Sequence, residues 1–253
     1  MIVTELNFLS HSLGRQASVK VLIPQKKAED ISPQRTLYLL PGLTDDRNAF
    51  LYGTSIVHQA EKAGLAVVIP DGERSWYTDT WYGSRYFEYV AKELPALFRS
   101  TFRRGDDKRE NNLIAGISMG GYGAVKVALT YPEAYCACAS LSGALDITRK
   151  GRPAFPDEWR AIFDPHQKDA TELEGTRHDL FHLVRENRKN ELPFPALYLW
   201  CGTEDKMLDY SRRFSSVLAE EGIPHVYEES AGGHSWAHWA GRIQPMLDFF
   251  AKV

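Results

Sequence analysis

Asn112–Thr130, NLIAGISMGGYGAVKVALT, is the stretch that decides how this chain of 253 residues folds. Asn112 to Ala115 is a short apolar run, the pattern of a strand buried on both faces of a parallel sheet. The pentapeptide Gly116-Ile117-Ser118-Met119-Gly120 follows at once, and Met119 to Thr130 continues as a helix. G-x-S-x-G alone is a weak signal, because glycine and serine are common. Between a strand and a helix it is far more specific. A tight turn there strains the serine backbone and presents the hydroxyl, while small neighbours avoid a clash. The competing reading is a plain βα turn whose serine only caps the helix.

Outward from this stretch the chain alternates strands and helices. Thr4–Leu9 and Ala17–Pro24 read as strands of an antiparallel hairpin turning at Ser12–Arg15. Thr36–Leu40 (TLYLL) and Ala66–Ile69 (AVVI) are further apolar runs ending at Pro. Tyr86, Phe87, Val90, Leu94, Leu97 and Phe98 fall on one face of a helix, which Pro95 should kink. A strand is expected around Tyr135–Leu141, then Ala196–Cys201 (ALYLWC), a helix near Tyr210–Glu221, a strand around His225–Glu228 and a closing helix over Ser235–Phe249. Asp146–Leu192 mixes charges, prolines and isolated aromatics, and reads as an insertion with short helices over the rim of the sheet. Gln25–Arg35 reads as a surface loop. Alternating β and α implies a mostly parallel sheet covered by helices on both faces, so the whole of residues 1–253 is expected to form a single α/β domain.

Composition narrows the function. Thirty lysines and arginines against 33 aspartates and glutamates leave a net charge of −3, a balance that suits neither nucleic acid nor an anionic membrane surface. No stretch approaches the roughly 18 apolar residues of a membrane span, and the start lacks the basic and apolar blocks of a signal peptide. Three cysteines, Cys136, Cys138 and Cys201, fit no disulfide framework. A cytoplasmic protein acting on a small molecule is the expectation; whether it forms a homo-oligomer stays open.

A serine hydroxyl needs a base to remove its proton and a third group to orient that base. Downstream of Ser118, Asp205 follows ALYLWC through Gly202-Thr203-Glu204, with Glu204 and Asp209 as competitors and helix capping as its bland role. Among eight histidines, His234 lies in the loop Ala231-Gly232-Gly233-His234-Ser235 between the last strand and the last helix, from which it can reach the carboxyl edge of the sheet. His238, four residues on, suggests a metal pair, but HSWAH lacks the glutamate of the zinc-hydrolase motif and no third ligand is evident. His166, His178 and His182 sit in the polar insertion and read as solvated. Ser118, Asp205 and His234 together follow the chain order Ser, Asp, His of one hydrolase architecture. Acyl transfer also needs donors for the developing oxyanion. The Met119 N–H follows the nucleophile, and Gly42 in Pro41-Gly42-Leu43-Thr44 permits an unusual backbone angle that would aim the Leu43 N–H inward.

LPGL at Leu40–Leu43, SWYTDTWYG at Ser75–Gly83, KELPALF at Lys92–Phe98, GISMGGYGA at Gly116–Ala124, CGTEDKML at Cys201–Leu208 and GGHSWAHW at Gly232–Trp239 resemble the tributyrin esterase group of the esterase D superfamily of α/β hydrolases. The resemblance spans nearly the whole chain. It implies an α/β-hydrolase fold, a triad of Ser118, Asp205 and His234, an oxyanion hole of Leu43 and Met119, and no metal or organic cofactor. Members of the group hydrolyse short-chain acyl esters; relatives act on acetylated or feruloylated sugars or on S-formylglutathione. Pro41 departs from the histidine that many members carry before the loop glycine. Asp45 and Asp46 stand where the formylglutathione branch often has a cysteine, which makes that branch the second choice. Trp76, Tyr77, Trp81 and Trp159 are candidate walls of a substrate pocket, although most aromatics of such clusters are packing residues. A non-catalytic protein using the fold to bind a ligand is the contrasting reading.

Overall fold

A computed structural model describes residues 1–25, 35–102, 106–149, 156–166 and 169–253. Eight strands form one sheet: β1 (Ile2–Ser10), β2 (Arg15–Ile23), β3 (Thr36–Leu40), β4 (Ala66–Pro70), β5 (Asn112–Ile117), β6 (Ala137–Leu141), β7 (Ala196–Gly202) and β8 (His225–Ser230). Their spatial order is β1-β2-β4-β3-β5-β6-β7-β8. The β1–β2 hairpin pairs Ile2 with Ile23 and Ser10 with Arg15, and β2 lies antiparallel to β4. Every other pairing is parallel. This is the α/β-hydrolase fold, as expected.

The apolar runs are buried for the reason their composition suggests. Each residue of β3, β4, β5 and β6 is buried, so both faces of these strands are covered. Along β3, Tyr38 and Leu40 enter one core while Leu37 and Leu39 enter the other. The first core holds the helices Leu94–Phe102, Met119–Thr130 and Leu208–Glu220 and much of the insertion; the second holds Ile56–Ala63 and the C-terminal helix Ile243–Phe250. On β8, at the sheet edge, no residue is fully buried, and half-buried positions are interspersed with exposed ones.

Strand order positions the site. After β3 the chain builds β4 on one side of it, then crosses back to lay β5 on the other. The loops leaving the carboxyl ends of β3 and β5 therefore part in opposite directions and leave a crevice, the usual place for a ligand in an open α/β sheet. The loops after β6, β7 and β8 line up beyond it.

Local expectations needed adjustment. The helix through Pro95 carries a π-helical turn at Tyr89–Glu93 just before the proline, a wider turn that accommodates a residue with no N–H to donate. The closing helix is broken into Trp236–Trp239, a 3₁₀ turn at Ala240–Arg242, and Ile243–Phe250. Within Asp146–Leu192 lie helices at Pro156–Ile162 and Leu180–Lys189 and a 3₁₀ turn at Ala170–Leu173. Most of the loop expected at Gln25–Arg35 falls outside the described residues. No helix among the described residues is long and apolar enough to cross a membrane.

Candidate active site

Ser118 sits directly between β5 and the helix Met119–Thr130, with φ +53° and ψ −118°. That backbone is unfavourable for a residue with a side chain and is held from both sides. The Ser118 N–H donates to Leu141 O at 3.0 Å, and its carbonyl accepts from the Tyr122 and Ala144 amides at 3.1 Å each. Only glycine fits at the ends of the pentapeptide. A Cβ on Gly116 would lie 2.2 Å from Gly120 O, and one on Gly120 would lie 2.0 Å from Leu40 O of the neighbouring strand.

His234 reaches the serine from the far end of the sheet. Its Nε2 is 2.9 Å from Ser118 Oγ, and its Nδ1 is 2.9 and 3.0 Å from the two oxygens of Asp205. The Asp205 carboxylate is fully enclosed while the His234 ring keeps partial access to solvent. Burial pushes the Asp205 pKa up, but hydrogen bonds from His234, the Met207 N–H and the Ser142 hydroxyl outweigh it and hold it below the ordinary aspartate value. Asp205 therefore stays ionised beside the imidazole. With the carboxylate accepting at Nδ1, the proton sits on that nitrogen and Nε2 is free to accept from the serine.

The competitors have other tasks. Glu204 clasps the histidine loop: its carboxylate accepts from the Gly232 N–H, and its own N–H donates to Gly232 O at 3.0 Å. Gly232 has φ +146°, a backbone that favours glycine, and a Cβ there would press on the His238 ring at 2.9 Å. His238 Nδ1 accepts from the Gly233 N–H at 3.0 Å, closing the same loop. Asp209 pairs with Arg149 on the surface. Among the described residues no group of three or more His, Cys, Asp or Glu could hold a metal ion. His178, read as solvated from the sequence, is buried; His166 and His182 take no part in the cluster around Ser118.

Leu43 and Met119 both border the cavity above Ser118. Among the described residues neither N–H donates a backbone hydrogen bond to another element. Gly42 corrects the sequence reading: its φ is not positive, so no unusual left-handed angle is used there. A Cβ there would stand 2.9 Å from Asp45 Oδ2 and 3.7 Å from Ser118 Cβ. Pro41 turns its carbonyl inward, where it accepts from the Tyr77 hydroxyl at 2.9 Å.

The cavity measures about 780 Å³ and runs from Ser118 and the Leu43 loop to the insertion, which contributes Ile147, Trp159 and Ala170. Trp76 and Trp159 line it, 5.2 Å apart and edge to face. Tyr77 and Trp81 do not. Tyr77 is fully buried, its hydroxyl on Pro41 O, and both it and Trp76 have left-handed backbones, at φ +46° and +53°. Trp81 is 60% exposed, its ring edge-on to His166.

Sequence reasoning missed Ser142. It follows β6 with φ +51°, donates to Asp205 and accepts from Trp239 Nε1 at 3.0 Å. The available signal was its place: a small polar residue directly after an apolar run, at the same sheet edge as Ser118 and Asp205.

With this geometry in view, kinship with known proteins is extensive. The Esterase family model matches residues 10–250. An acetyl esterase of Caldicellulosiruptor saccharolyticus is 32% identical, over 100% of this chain and 99% of the relative. Among solved structures, FphF, a fluorophosphonate-binding serine hydrolase of Staphylococcus aureus, superposes with a TM-score of 0.90 at 28% identity, covering 99% of this chain and 98% of that one. The S-formylglutathione hydrolase FrmB of Staphylococcus aureus gives a TM-score of 0.87 at 27% identity, with the same coverage.

Proposed function

The chain belongs to the Esterase family and is a carboxylic ester hydrolase, and from that premise we propose that it is a serine carboxylesterase for short, acetyl-like acyl groups working through Ser118, His234 and Asp205. The carrying observation is the unbroken line from Ser118 Oγ through His234 Nε2 and Nδ1 to Asp205, with both contacts of the imidazole at 2.9 Å. His234 removes the Ser118 proton as Oγ attacks the ester carbonyl. The Leu43 and Met119 amides donate to the oxyanion of the tetrahedral intermediate, and Asp205 stabilises the imidazolium. The imidazolium then protonates the leaving alcohol, and an acyl-enzyme remains on Ser118. Water, deprotonated by His234, attacks the acyl carbon; the intermediate collapses, and Ser118 Oγ leaves with the proton returned by His234.

The acyl preference is supported by the acetyl esterase relative and by the aromatic wall of Trp76, Trp159 and Trp239; the basic residues Arg74, Arg149 and Lys206 and the acids Asp45, Asp146 and Glu158 line the same cavity. We assign the chain to the tributyrin esterase group within esterase D, read residues 1–253 as one catalytic domain whose rim is 146–192, and place it in the cytoplasm, where its free cysteines stay reduced. The second reading is S-formylglutathione hydrolysis, favoured by the likeness to FrmB. It ranks second because Asp45 and Asp46 stand where the formylglutathione branch often carries a cysteine. The test is p-nitrophenyl acetate turnover. Ser118→Ala is expected to lose at least about 10⁴-fold in kcat; turnover at the wild-type rate contradicts the proposal. A kcat/KM for S-formylglutathione far above that for acetyl esters would favour the second reading.

A further inference from the structure

Lys126 is the one charged residue type in the helix Met119–Thr130, and it lies two turns beyond Ser118 on the side away from solvent, 1% exposed. A lysine so deeply buried is normally paired with a carboxylate. This one is not, among the described residues. Its Nζ sits 2.8 Å from Thr78 Oγ1, 3.3 Å from Tyr77 O and 3.1 Å from His178 Nδ1, with the faces of Phe87 and Tyr122 at 5.2 and 5.4 Å. The Thr78 hydroxyl in turn donates to Trp76 O at 3.0 Å. Both carbonyls of the left-handed pair Trp76–Tyr77 thus depend on the lysine, one directly and one through Thr78.

That pair is where two parts of the site are set. Trp76 lines the cavity. Tyr77 lies against Gly123, where a Cβ would meet its ring at 2.4 Å, and its hydroxyl holds Pro41 O at 2.9 Å, two residues before Leu43. We propose that Lys126 is a positioning residue for the reaction: by fixing the Trp76–Tyr77 turn it aligns the Leu43 N–H with the oxyanion and fixes the Trp76 wall. The inference rests on the reading of Ser118 as nucleophile and Leu43 as donor. Burial pushes the Lys126 ammonium well below lysine's ordinary range, with Arg177 adding to the effect and Asp79 opposing it. Its other contact, His178, couples the same amine to the insertion.

The experiment compares Lys126→Met, Thr78→Val, Tyr77→Phe and Lys126→Met/Tyr77→Phe with the wild type. Rates on p-nitrophenyl acetate are normalised to serine titrated by a fluorophosphonate, and inhibition by a trifluoromethyl ketone, which forms the oxyanion, is measured alongside. Lys126→Met is expected to lower kcat about 10- to 100-fold, somewhat less than the roughly 10²–10³-fold of losing an oxyanion donor outright, with KM nearly unchanged and the inhibition constant rising in proportion. Tyr77→Phe and Thr78→Val should give smaller losses of the same kind. The double variant should be no worse than Lys126→Met, because the two residues act in series. A soluble Lys126→Met enzyme with wild-type kcat per titrated serine, or a double variant whose loss is the product of the single losses, overturns the proposal. If Lys126→Met does not fold, the other two decide: wild-type kcat in either overturns it. Ser118→Ala separates the two levels, since an active Ser118→Ala enzyme defeats the serine reading itself, whereas an inactive one beside a normal Lys126→Met enzyme defeats only the role of Lys126.

Discussion

Two supports converge on Ser118 and are built differently. On one side, Ser118, His234, Asp205, Ser142 and Trp239 form a relay in which each side chain is hydrogen-bonded to the next. On the other, the Leu43 loop carries no functional side chain; its backbone is held by Tyr77, whose turn is held in turn by Lys126. The relay depends on what its residues are. The loop depends on where backbone amides point, which buried residues some distance away control. Damage to the first should abolish proton transfer, and damage to the second should weaken oxyanion binding while leaving the base intact.

The largest expected effect sharpens this contrast on the relay side. Asp205→Asn keeps the shape but offers an amide to Nδ1, favouring the tautomer that cannot accept from Ser118, so kcat is expected to fall about 10⁴-fold. Steady-state kinetics on p-nitrophenyl acetate checks it, and a loss under tenfold would mean that the carboxylate only packs.

Glu204 gives the middle effect. It neither titrates in the reaction nor touches the serine, but it clasps the Gly232 backbone and so sets the swing of His234. Glu204→Ala should cost about tenfold in kcat, the expected scale for a slightly misplaced base, with little change in binding of the trifluoromethyl ketone relative to that loss. Equal losses in both would place Glu204 on the oxyanion side of the comparison.

The smallest effect is on stability and belongs to the Lys126 side. Burial, followed by Lys126 and Arg177, drives the His178 pKa from 6.5 down to about 2. Between those values the unfolded chain holds a proton that the folded one refuses. Stability therefore falls as pH drops below the ordinary histidine value, by at most about 1.4 kcal/mol per pH unit from this group. Chemical denaturation of the wild type and of His178→Asn at several pH values between 7 and 5 should show a shallower slope for the variant. Identical slopes would remove His178 as the cause.

The same contrast explains what could be read from the sequence. β3, β5 and β7 are apolar runs covered on both faces, and burial of that kind leaves a plain compositional trace. Ser118 and Asp205 are legible because each follows such a strand, whereas His234 follows the exposed edge strand β8 and is legible from its Gly-rich loop and from the chain order Ser, Asp, His. Composition registers an aromatic cluster at Trp76, Tyr77 and Trp81 but not that Tyr77 is buried under the Pro41 loop and Trp81 is exposed, away from the cavity. At Gly42 the residue type suggests an unusual angle that the backbone does not adopt. The π-helical turn before Pro95 likewise follows from how the chain absorbs a missing donor, a tertiary adjustment rather than a local preference. Lys126 left one trace, a single cation within GYGAVKVALT, whose meaning appears only when Tyr77 and His178 are brought around it.

The most direct test of the central claim is to quench the reaction with p-nitrophenyl acetate within the first turnover and map the acyl group by peptide mass spectrometry. The account predicts one acetyl group on the peptide containing Ser118, formed in the burst and lost at a rate that accounts for kcat. An acetyl group on any other residue that turns over at that rate, or steady turnover with no acyl-enzyme at any time point while deacylation limits the rate, would contradict it.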